Sequence, residues 1–434
     1  MIKFFTIFLL FIFITNCSLD TKSRLWTKGK KVEREKQKSI KVLFKDEKAL
    51  KKELNSNLKI NLSAKLINNS FINNFDNNNG RINYNGNLKS ISRFKFSKID
   101  NFDQFEPEII FSNGNVIFFD SKGSVFKFDN SSRLIWKKNY YSKSEKKLKP
   151  VLFFANNKDT LIVVDSIAKY YAININTGEL LWSKNNSAHF NSQVKVYKDK
   201  FFVIDSKNIL RCYSIKNGNE IWKIKTEKTL MKSSKKLSLL IVDNKVYFNN
   251  SIGDVTAVDI ESGNLLWLTP TQSSEIYGQS FFIKSSNLVA NNNSIFLSNN
   301  NNEFFSLDIK TGILNWKHKI NSTLTPTLVD NLIFTVTMEG FLVVIDSRQG
   351  KIIRITDIFR QFKNKKRTKI KPVGFILGSE NIYLTTDHGK LMIIDVILGR
   401  TKSILKIDND RISRPFVLNQ NLYIVKENSI IRLN

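Results

Sequence analysis

A short unit that recurs along the chain constrains its fold more strongly than any other feature. The clearest copy is Val255–Trp267, VTAVDIESGNLLW, in which an alternating apolar run is followed by Glu-Ser-Gly and a second run that ends in Trp267. A connection of two or three residues usually requires a positive φ at one position, which glycine adopts without steric cost. The unit is therefore predicted to be a β-hairpin that turns at Gly263.

Seven copies of this unit follow one another at intervals of 38 to 49 residues. Four copies have a glycine four residues before the tryptophan, two later copies keep only the glycine, and the earliest keeps the tryptophan with Ser132 in place of glycine. The copies are Ser124–Trp136, Tyr170–Trp182, Leu210–Trp222, Val255–Trp267, Glu303–Trp316, Phe341–Arg354 and Lys390–Ser403. This spacing is typical of the four-stranded blades of a β-propeller.

Three positions of the repeat have an expected structural role. The tryptophans are expected to pack between adjacent blades, each burying roughly 150–250 Å²; they are Trp136, Trp182, Trp222, Trp267 and Trp316. The glycines are expected to form the hairpin turns; they are Gly178, Gly218, Gly263, Gly312, Gly350 and Gly399. The recurring aspartates are expected to cap those turns; they are Asp129, Asp259, Asp308, Asp346 and Asp395.

The two ends of the repeat region predict how the ring closes. An apolar alternating run such as Asn244–Asn250 precedes each hairpin, so each repeat is read as four strands with no internal helix. Asn87–Lys98 resembles an isolated last strand, and Asn421–Asn434 resembles a hairpin that lacks one. Pairing them removes the exposed sheet edges. The sequence therefore predicts an all-β, eight-bladed propeller over residues 88–434, with seven blades as the alternative if the earliest copy is not a blade.

The first residues have the pattern of an export signal. A lysine precedes an apolar run from Phe4 to Ile14. This run is too short for a stable membrane span, and its flanking residues do not suit a buried core helix. Ile14–Cys17 resembles a bacterial lipobox, which implies cleavage before Cys17, lipidation of that residue, and residues 1–16 as a signal peptide. Ser18 after the cysteine indicates, by the same resemblance, sorting to the outer membrane.

Two segments are expected to link this end to the propeller. Residues 17–60 are predicted to be a basic tether, with Lys28–Lys38 as its most charged part and a short amphipathic helix possible around 43–54. Residues 61–87 are rich in asparagine and are predicted to be an extended lead-in that crosses a face of the propeller.

The sequence contains no pattern that is typical of a catalytic centre or a metal site. The three histidines, His189, His318 and His388, lie in different repeats without metal-ligand spacing. A phosphate-binding glycine loop and a nucleophile elbow are both missing from the sequence. Once Cys17 is lipidated, Cys212 has no partner for an intramolecular disulfide and is expected to be a core thiol.

The formal net charge of +30 would ordinarily indicate nucleic acid as a partner. Export makes an anionic membrane surface the better physical match. The strongest local run, Lys363–Lys371, is expected to be a solvated loop between the sixth and seventh repeats. A general bias toward Lys, Asn, Ile and Phe is an alternative explanation of the charge.

The repeats resemble a known family. AVDIESGNLLW at 257–267, SLDIKTGILNW at 306–316 and AININTGELLW at 172–182 match the AxDxxTGxxxW pattern of quinoprotein (PQQ-type) propeller repeats. Together with the lipobox and the basic tether, eight such blades resemble the BamB family, lipoproteins of the outer-membrane β-barrel assembly machinery. Residues 29–50 are similar to the corresponding segment in the alphaproteobacterial branch of that family.

The resemblance implies a non-catalytic scaffold without a cofactor, lipid-anchored at the periplasmic face of the outer membrane after Sec export. Members of the family bind periplasmic domains of the barrel-inserting BamA-like subunit through loops that follow the tryptophan strands of two neighbouring blades. The comparable loops here are Thr229–Lys236 and Gln272–Phe282, although the second lacks the family's paired aspartates. The candidate contact residues are Leu230, Met231, Lys232, Glu275, Ile276 and Tyr277. The implied state is a monomer within a hetero-complex, with nascent outer-membrane proteins as further partners and no nucleic acid.

Two other classes of protein share such repeats. A PQQ-dependent dehydrogenase or propeller-type sensor would stack a cofactor on tryptophan, and by family comparison it needs a carboxylate base, a calcium site and often adjacent cysteines. The adjacent cysteines and the long insertions that would build such a pocket are missing from this sequence. A surface adhesion or envelope-tethering propeller is the other alternative, and it requires no assembly partner.

Overall fold

In a computed structural model, the described residues are 50, 52–67, 80–100, 102, 107–226, 235–271 and 283–434. They form thirty-four strands, numbered β1 to β34 in chain order, and two short helices. Cys17, the predicted signal peptide and most of the predicted tether lie outside these residues. Within them, no helix is long and apolar enough to cross a membrane.

Three short strands precede the first complete blade: β1 (Leu66–Ile67), β2 (Arg81–Ile82) and β3 (Ser90–Lys95). Blades 1 and 2 consist of β4 (Ile110–Ser112), β5 (Asn115–Phe119), β6 (Val125–Phe128), β7 (Leu134–Lys138), β8 (Leu152–Asn157), β9 (Thr160–Asp165), β10 (Lys169–Asn174) and β11 (Leu180–Asn185). Blades 3 and 4 consist of β12 (Lys195–Tyr197), β13 (Lys200–Ile204), β14 (Ile209–Ser214), β15 (Glu220–Lys225), β16 (Leu239–Val242), β17 (Lys245–Asn249), β18 (Val255–Asp259) and β19 (Leu265–Thr269).

The second half of the ring repeats the same antiparallel order. Blades 5 and 6 consist of β20 (Val289–Ala290), β21 (Ser294–Asn299), β22 (Glu303–Asp308), β23 (Leu314–His318), β24 (Thr327–Val329), β25 (Leu332–Val336), β26 (Phe341–Asp346) and β27 (Ile352–Asp357). Blades 7 and 8 consist of β28 (Pro372–Leu377), β29 (Asn381–Thr386), β30 (Lys390–Asp395), β31 (Thr401–Lys406), β32 (Phe416–Leu418), β33 (Asn421–Lys426), β34 (Ser429–Leu433) and β3. The predicted all-β, eight-bladed propeller of four-stranded blades is confirmed.

The predicted closure of the ring is also confirmed. Strand β3 pairs with β34 in antiparallel register, with Phe94 opposite Ile430. Blade 8 therefore takes its outermost strand from the N-terminal side of the domain and its other three from the C-terminal end. The copy Ser124–Trp136 supplies two strands of blade 1, which excludes the seven-bladed alternative.

Burial follows the position of each strand within its blade. The first strands of successive blades contact one another around the axis, as β8, β12 and β16 do. The second and third strands are buried on both faces, which explains their continuous apolar runs. The fourth strand, which carries the tryptophan, is the outer edge of the blade and is largely exposed.

An antiparallel meander of four strands defines two faces of the ring. The fourth strand of one blade connects to the first strand of the next at one face, which we call the connection face. The glycine turns lie at the other, the turn face. At the turn of blade 4, Gly263 has φ +73°, and the Asp259 carboxylate accepts hydrogen bonds from the backbone N–H groups of Glu261 and Ser262. These bonds lower the pKa of Asp259, as expected of a turn cap.

Two short helices contradict the expectation that the repeats contain none. Helix α1 (Lys143–Lys147) connects blades 1 and 2, and its N-terminus is a capping box between Ser142 and Glu145. Helix α2 (Asn364–Arg367) lies in the basic run that was expected to be a loop, and none of its residues is buried. Buried Phe362 and Ile370 hold the two ends of that connection against the propeller, so the segment between them closes into one helical turn.

Residues 52–67 pack along blades 6 and 7, and we call this segment the strap. Leu54 forms an isolated antiparallel bridge with Ile355, so the chain is extended at the described end of residues 43–54, the stretch that allowed a short helix. Farther along, Ile60 N–H donates to the Ile397 carbonyl at 3.1 Å. Strand β1 then pairs with β2 in parallel, and Tyr84 packs edge-on against Tyr383. The strap therefore begins along the outer edge of blade 6 and reaches the turn face at Ile60.

Candidate functional site

The repeat tryptophans lie at the seams between adjacent blades. Each indole Nε1–H donates to a backbone carbonyl of the next blade, three residues before the turn position of that blade. The pairs are Trp136–Ile175 (3.3 Å), Trp182–Ile215 (2.8 Å), Trp222–Ile260 (3.0 Å), Trp267–Ile309 (3.3 Å) and Trp316–Ser347 (3.2 Å). These indoles therefore link each blade to the next by a hydrogen bond.

The glycine of each turn lies under the tryptophan of the preceding blade. A Cβ atom added to Gly218 would lie 2.6 Å from the Trp182 ring, so the turn requires glycine for its φ of +68° and for this contact. The same contact joins Gly178, Gly263, Gly312 and Gly350 to Trp136, Trp222, Trp267 and Trp316. The glycine and tryptophan of the repeat are thus partners across a seam, not within one hairpin.

The seam between blades 6 and 7 is different because Arg354 takes the place of tryptophan. The buried guanidinium lies over Gly399 and donates to the carbonyls of Leu58 (2.9 Å), Ile397 and Val396. Burial lowers its pKa to about 10, although the Asp395 carboxylate opposes the shift. Its position four residues after Gly350 was visible in the sequence, but its contact with the strap was not.

A recess at the connection face is built around Glu108. The carboxylate lies 2.9 Å from Lys236 Nζ and 3.8 Å from the Arg414 guanidinium, and 20% of the Glu108 side chain is exposed. Burial raises the pKa of Glu108, but the positive charges of Lys236 and Arg414 outweigh burial and lower it overall. These three residues precede the first strands of blades 1, 4 and 8, so this cluster links distant parts of the ring.

The described residues of the recess do not fit a quinone cofactor with its calcium ion. The free volume is about 30 Å³, which holds roughly one water molecule. Across the described ranges, no group of three or more His, Cys, Asp or Glu side chains is arranged to hold a metal ion. The buried Cys212 is poorly suited to nucleophilic chemistry, because burial raises the pKa of its thiol to about 12.

The six candidate contact residues, Leu230, Met231, Lys232, Glu275, Ile276 and Tyr277, lie outside the described residues. The ends of their loops are described. One loop leaves blade 3 at Thr226 and returns at Lys235, and the other leaves blade 4 at Thr271 and returns at Ile283. Both are connections from a fourth strand to the next first strand, so both begin and end at the connection face.

The closed ring and its glycine–tryptophan seams define the class of protein: an eight-bladed β-propeller built from PQQ-like repeats. A family model described as outer membrane protein assembly factor BamB matches residues 121–356, more than half of the chain. The chain belongs to this family.

Solved structures share the fold at low sequence identity. BamB from Moraxella catarrhalis is 15% identical with a TM-score of 0.65, and the match covers 80% of this chain and 99% of that chain. A europium-containing methanol dehydrogenase is 12% identical with a TM-score of 0.62, covering 82% and 88% of the two chains. The quinohemoprotein alcohol dehydrogenase from Comamonas testosteroni is 11% identical with a TM-score of 0.57, covering 82% and 78%. No curated protein matches the sequence. At such identities, these structures support the fold and not the activity.

Proposed function

We propose that this protein is a non-catalytic scaffold of the outer-membrane β-barrel assembly machinery. In this role it binds the periplasmic domains of a BamA-like barrel-inserting subunit and nascent outer-membrane proteins, and so assists their folding and insertion. The observation that carries the proposal is family membership over residues 121–356. The fold that this chain shares with nearly the whole of a solved BamB supports it.

The proposed partner surface is the part of the connection face around blade 4. The loops with Leu230–Lys232 and Glu275–Tyr277 enter and leave this blade, so one partner domain can contact both. The Glu108 cluster anchors the same face, because Lys236, the last residue of the first loop, contacts Glu108. A closed ring holds two such loops in a fixed relation at little entropic cost on binding.

We test the scaffold function by affinity capture of the tagged full-length protein from detergent-solubilised envelopes, with partners identified by mass spectrometry. The expected result is recovery of a large barrel subunit that carries periplasmic repeat domains. Alanine replacement of Leu230–Lys232 or of Glu275–Tyr277 is expected to abolish recovery. The matched control replaces Lys363, Lys365 and Lys366 with alanine, since these residues occupy another connection of the same face and should not matter.

Two results would contradict this function. Recovery of the protein alone would show that it does not bind the barrel subunit. Calcium- and quinone-dependent dye reduction by the purified chain would favour the dehydrogenase class, which the small volume of the recess does not support.

We also propose that the protein is exported and anchored through lipidated Cys17 at the periplasmic face of the outer membrane. Acyl chains contribute about 0.8 kcal/mol for each buried methylene, so a multiply acylated cysteine is a durable anchor. Replacing Cys17 with serine is expected to move the protein from the outer-membrane fraction to the soluble periplasmic fraction. Wild-type protein found only in the soluble fraction would refute the anchor.

A further inference from the structure

The strap shows that an outer strand of this propeller accepts an added strand. Leu54 N–H donates to the Ile355 carbonyl at 3.1 Å, and Ile355 N–H donates to the Leu54 carbonyl at 2.9 Å. The Asn55 side-chain amide also donates to the Ile353 carbonyl at 3.1 Å. Under this cover, Ile355 is only 4% exposed. The accepting positions are thus the third and fifth residues after the turn glycine, Gly350.

The same two positions can be compared in all seven repeats. They are Ile135 and Lys137 in blade 1, Leu181 and Ser183 in blade 2, Ile221 and Lys223 in blade 3, Leu266 and Leu268 in blade 4, Asn315 and Lys317 in blade 5, Ile353 and Ile355 in blade 6, and Lys402 and Ile404 in blade 7. Only blades 4 and 6 have apolar residues at both positions. Lysine on an edge strand is a common device against pairing with another chain, and blade 4 lacks it at both positions.

The edge of blade 4 is exposed where the edge of blade 6 is covered. Leu266 is 45% exposed and Leu268 is 37% exposed, and the neighbouring Leu265 is 52% exposed. None of the described segments pairs with β19 on its outer side. Exposed leucines in a row on an unpaired edge favour a strand partner.

Charge limits what that partner can be. On the outer strands of the neighbouring blades, Lys223 and Lys317 are ion-paired with Glu220 and Glu303, and Lys225 also lies on the strand of blade 3. The chain as a whole carries a net charge of +30. A segment with acidic residues at its ends therefore complements the net positive charge of the chain, while apolar residues at alternate positions complement the leucines of this edge.

We propose that the outer strand of blade 4, Leu265–Thr269, binds an extended segment of another polypeptide that alternates apolar and polar residues and carries acidic residues at its ends. This rests on the proposed function, because the strands of a membrane β-barrel alternate apolar and polar residues in the same way. Blade 4 lacks the side-chain anchor that the added strand has in blade 6. Arg354 donates to the added strand in blade 6 through Leu58, whereas the equivalent Trp267 donates to Ile309 of its own ring.

The test measures binding of a labelled peptide of alternating valine and threonine with glutamates at both ends to the full-length protein. A peptide of the same composition in scrambled order is the reference ligand. Changing both Leu266→Lys and Leu268→Lys is expected to weaken binding of the alternating peptide at least about tenfold, since two cross-strand apolar pairs are lost. The matched control changes Leu181→Lys and Ser183→Lys in blade 2 and is expected to bind as the wild type does.

Several outcomes would overturn the inference: no binding by the wild type, equal binding of the scrambled peptide, or equal weakening by the two variants. If the wild type forms a dimer and the blade 4 variant is a monomer, a second copy of the chain occupies this edge, and the inference is overturned as well. Unchanged thermal unfolding of both variants excludes misfolding as the cause. Affinity capture distinguishes the two proposals, because a blade 4 variant that loses the peptide but still captures the barrel subunit separates this edge from the scaffold surface.

Discussion

Replacing Phe94 with alanine is expected to lower the free energy of unfolding by about 3–5 kcal/mol, the usual cost of truncating a fully buried phenylalanine. Phe94 is 0% exposed and lies on β3, the strand that closes the ring. Its ring packs 5.6 Å from that of Phe128 in blade 1 and 6.2 Å from that of Tyr423 in blade 8. The substitution therefore leaves a cavity at the one seam where the two ends of the domain meet.

The matched control is Ile91→Ala on the same strand. Ile91 is 44% exposed, so its truncation is expected to change stability by less than about 0.5 kcal/mol. Both variants are compared with the wild type by equilibrium urea unfolding followed by tryptophan fluorescence, after reversibility has been checked. Equal midpoints for Phe94→Ala and Ile91→Ala would show that packing at the closing seam does not limit stability.

The fold was predictable because its signals are local and repeated. Each hairpin has its own turn residue and alternating strands, and seven copies at blade spacing leave few other architectures open. The closure followed from two incomplete pieces, Asn87–Lys98 and Asn421–Asn434, each of which lacks what the other supplies. Helix α1 was also readable, because Ser142 and Glu145 form the S-x-x-E pattern of a capping box.

The contacts between distant residues were not predictable from one sequence. Glu108 meets Lys236 and Arg414 only because the ring brings the first strands of three blades to one axis. The strap pairs with blade 6 through an isolated bridge at Leu54, which has no strand periodicity of its own. The roles of the six loop residues remain predictions that came from a family resemblance, not from local physical signals.

The strap depends on Arg354, and changing that residue to alanine is expected to have two effects. Loss of the buried side chain and of its hydrogen bonds to three carbonyls should lower the free energy of unfolding by about 2–4 kcal/mol. Backbone amides of the strap should also exchange with solvent faster, because the Leu58 carbonyl loses its donor. Hydrogen exchange measured by mass spectrometry on peptides covering residues 52–60, together with urea unfolding, checks both effects.

Arg354→Trp distinguishes the role of this residue at the seam from its role in holding the strap, because five other repeats place tryptophan over a turn glycine. The indole can lie over Gly399 and donate toward the Val396 carbonyl, as Trp316 does to Ser347, but it has no second donor for Leu58. We expect this variant to retain most of the stability that Arg354→Ala loses, while exchange in the strap remains fast. Slow exchange at residues 52–60 in both variants would show that Arg354 does not hold the strap. If the strap is released, Ile353 and Ile355 become an apolar edge without lysine, and blade 6 should then bind the same alternating peptide as blade 4.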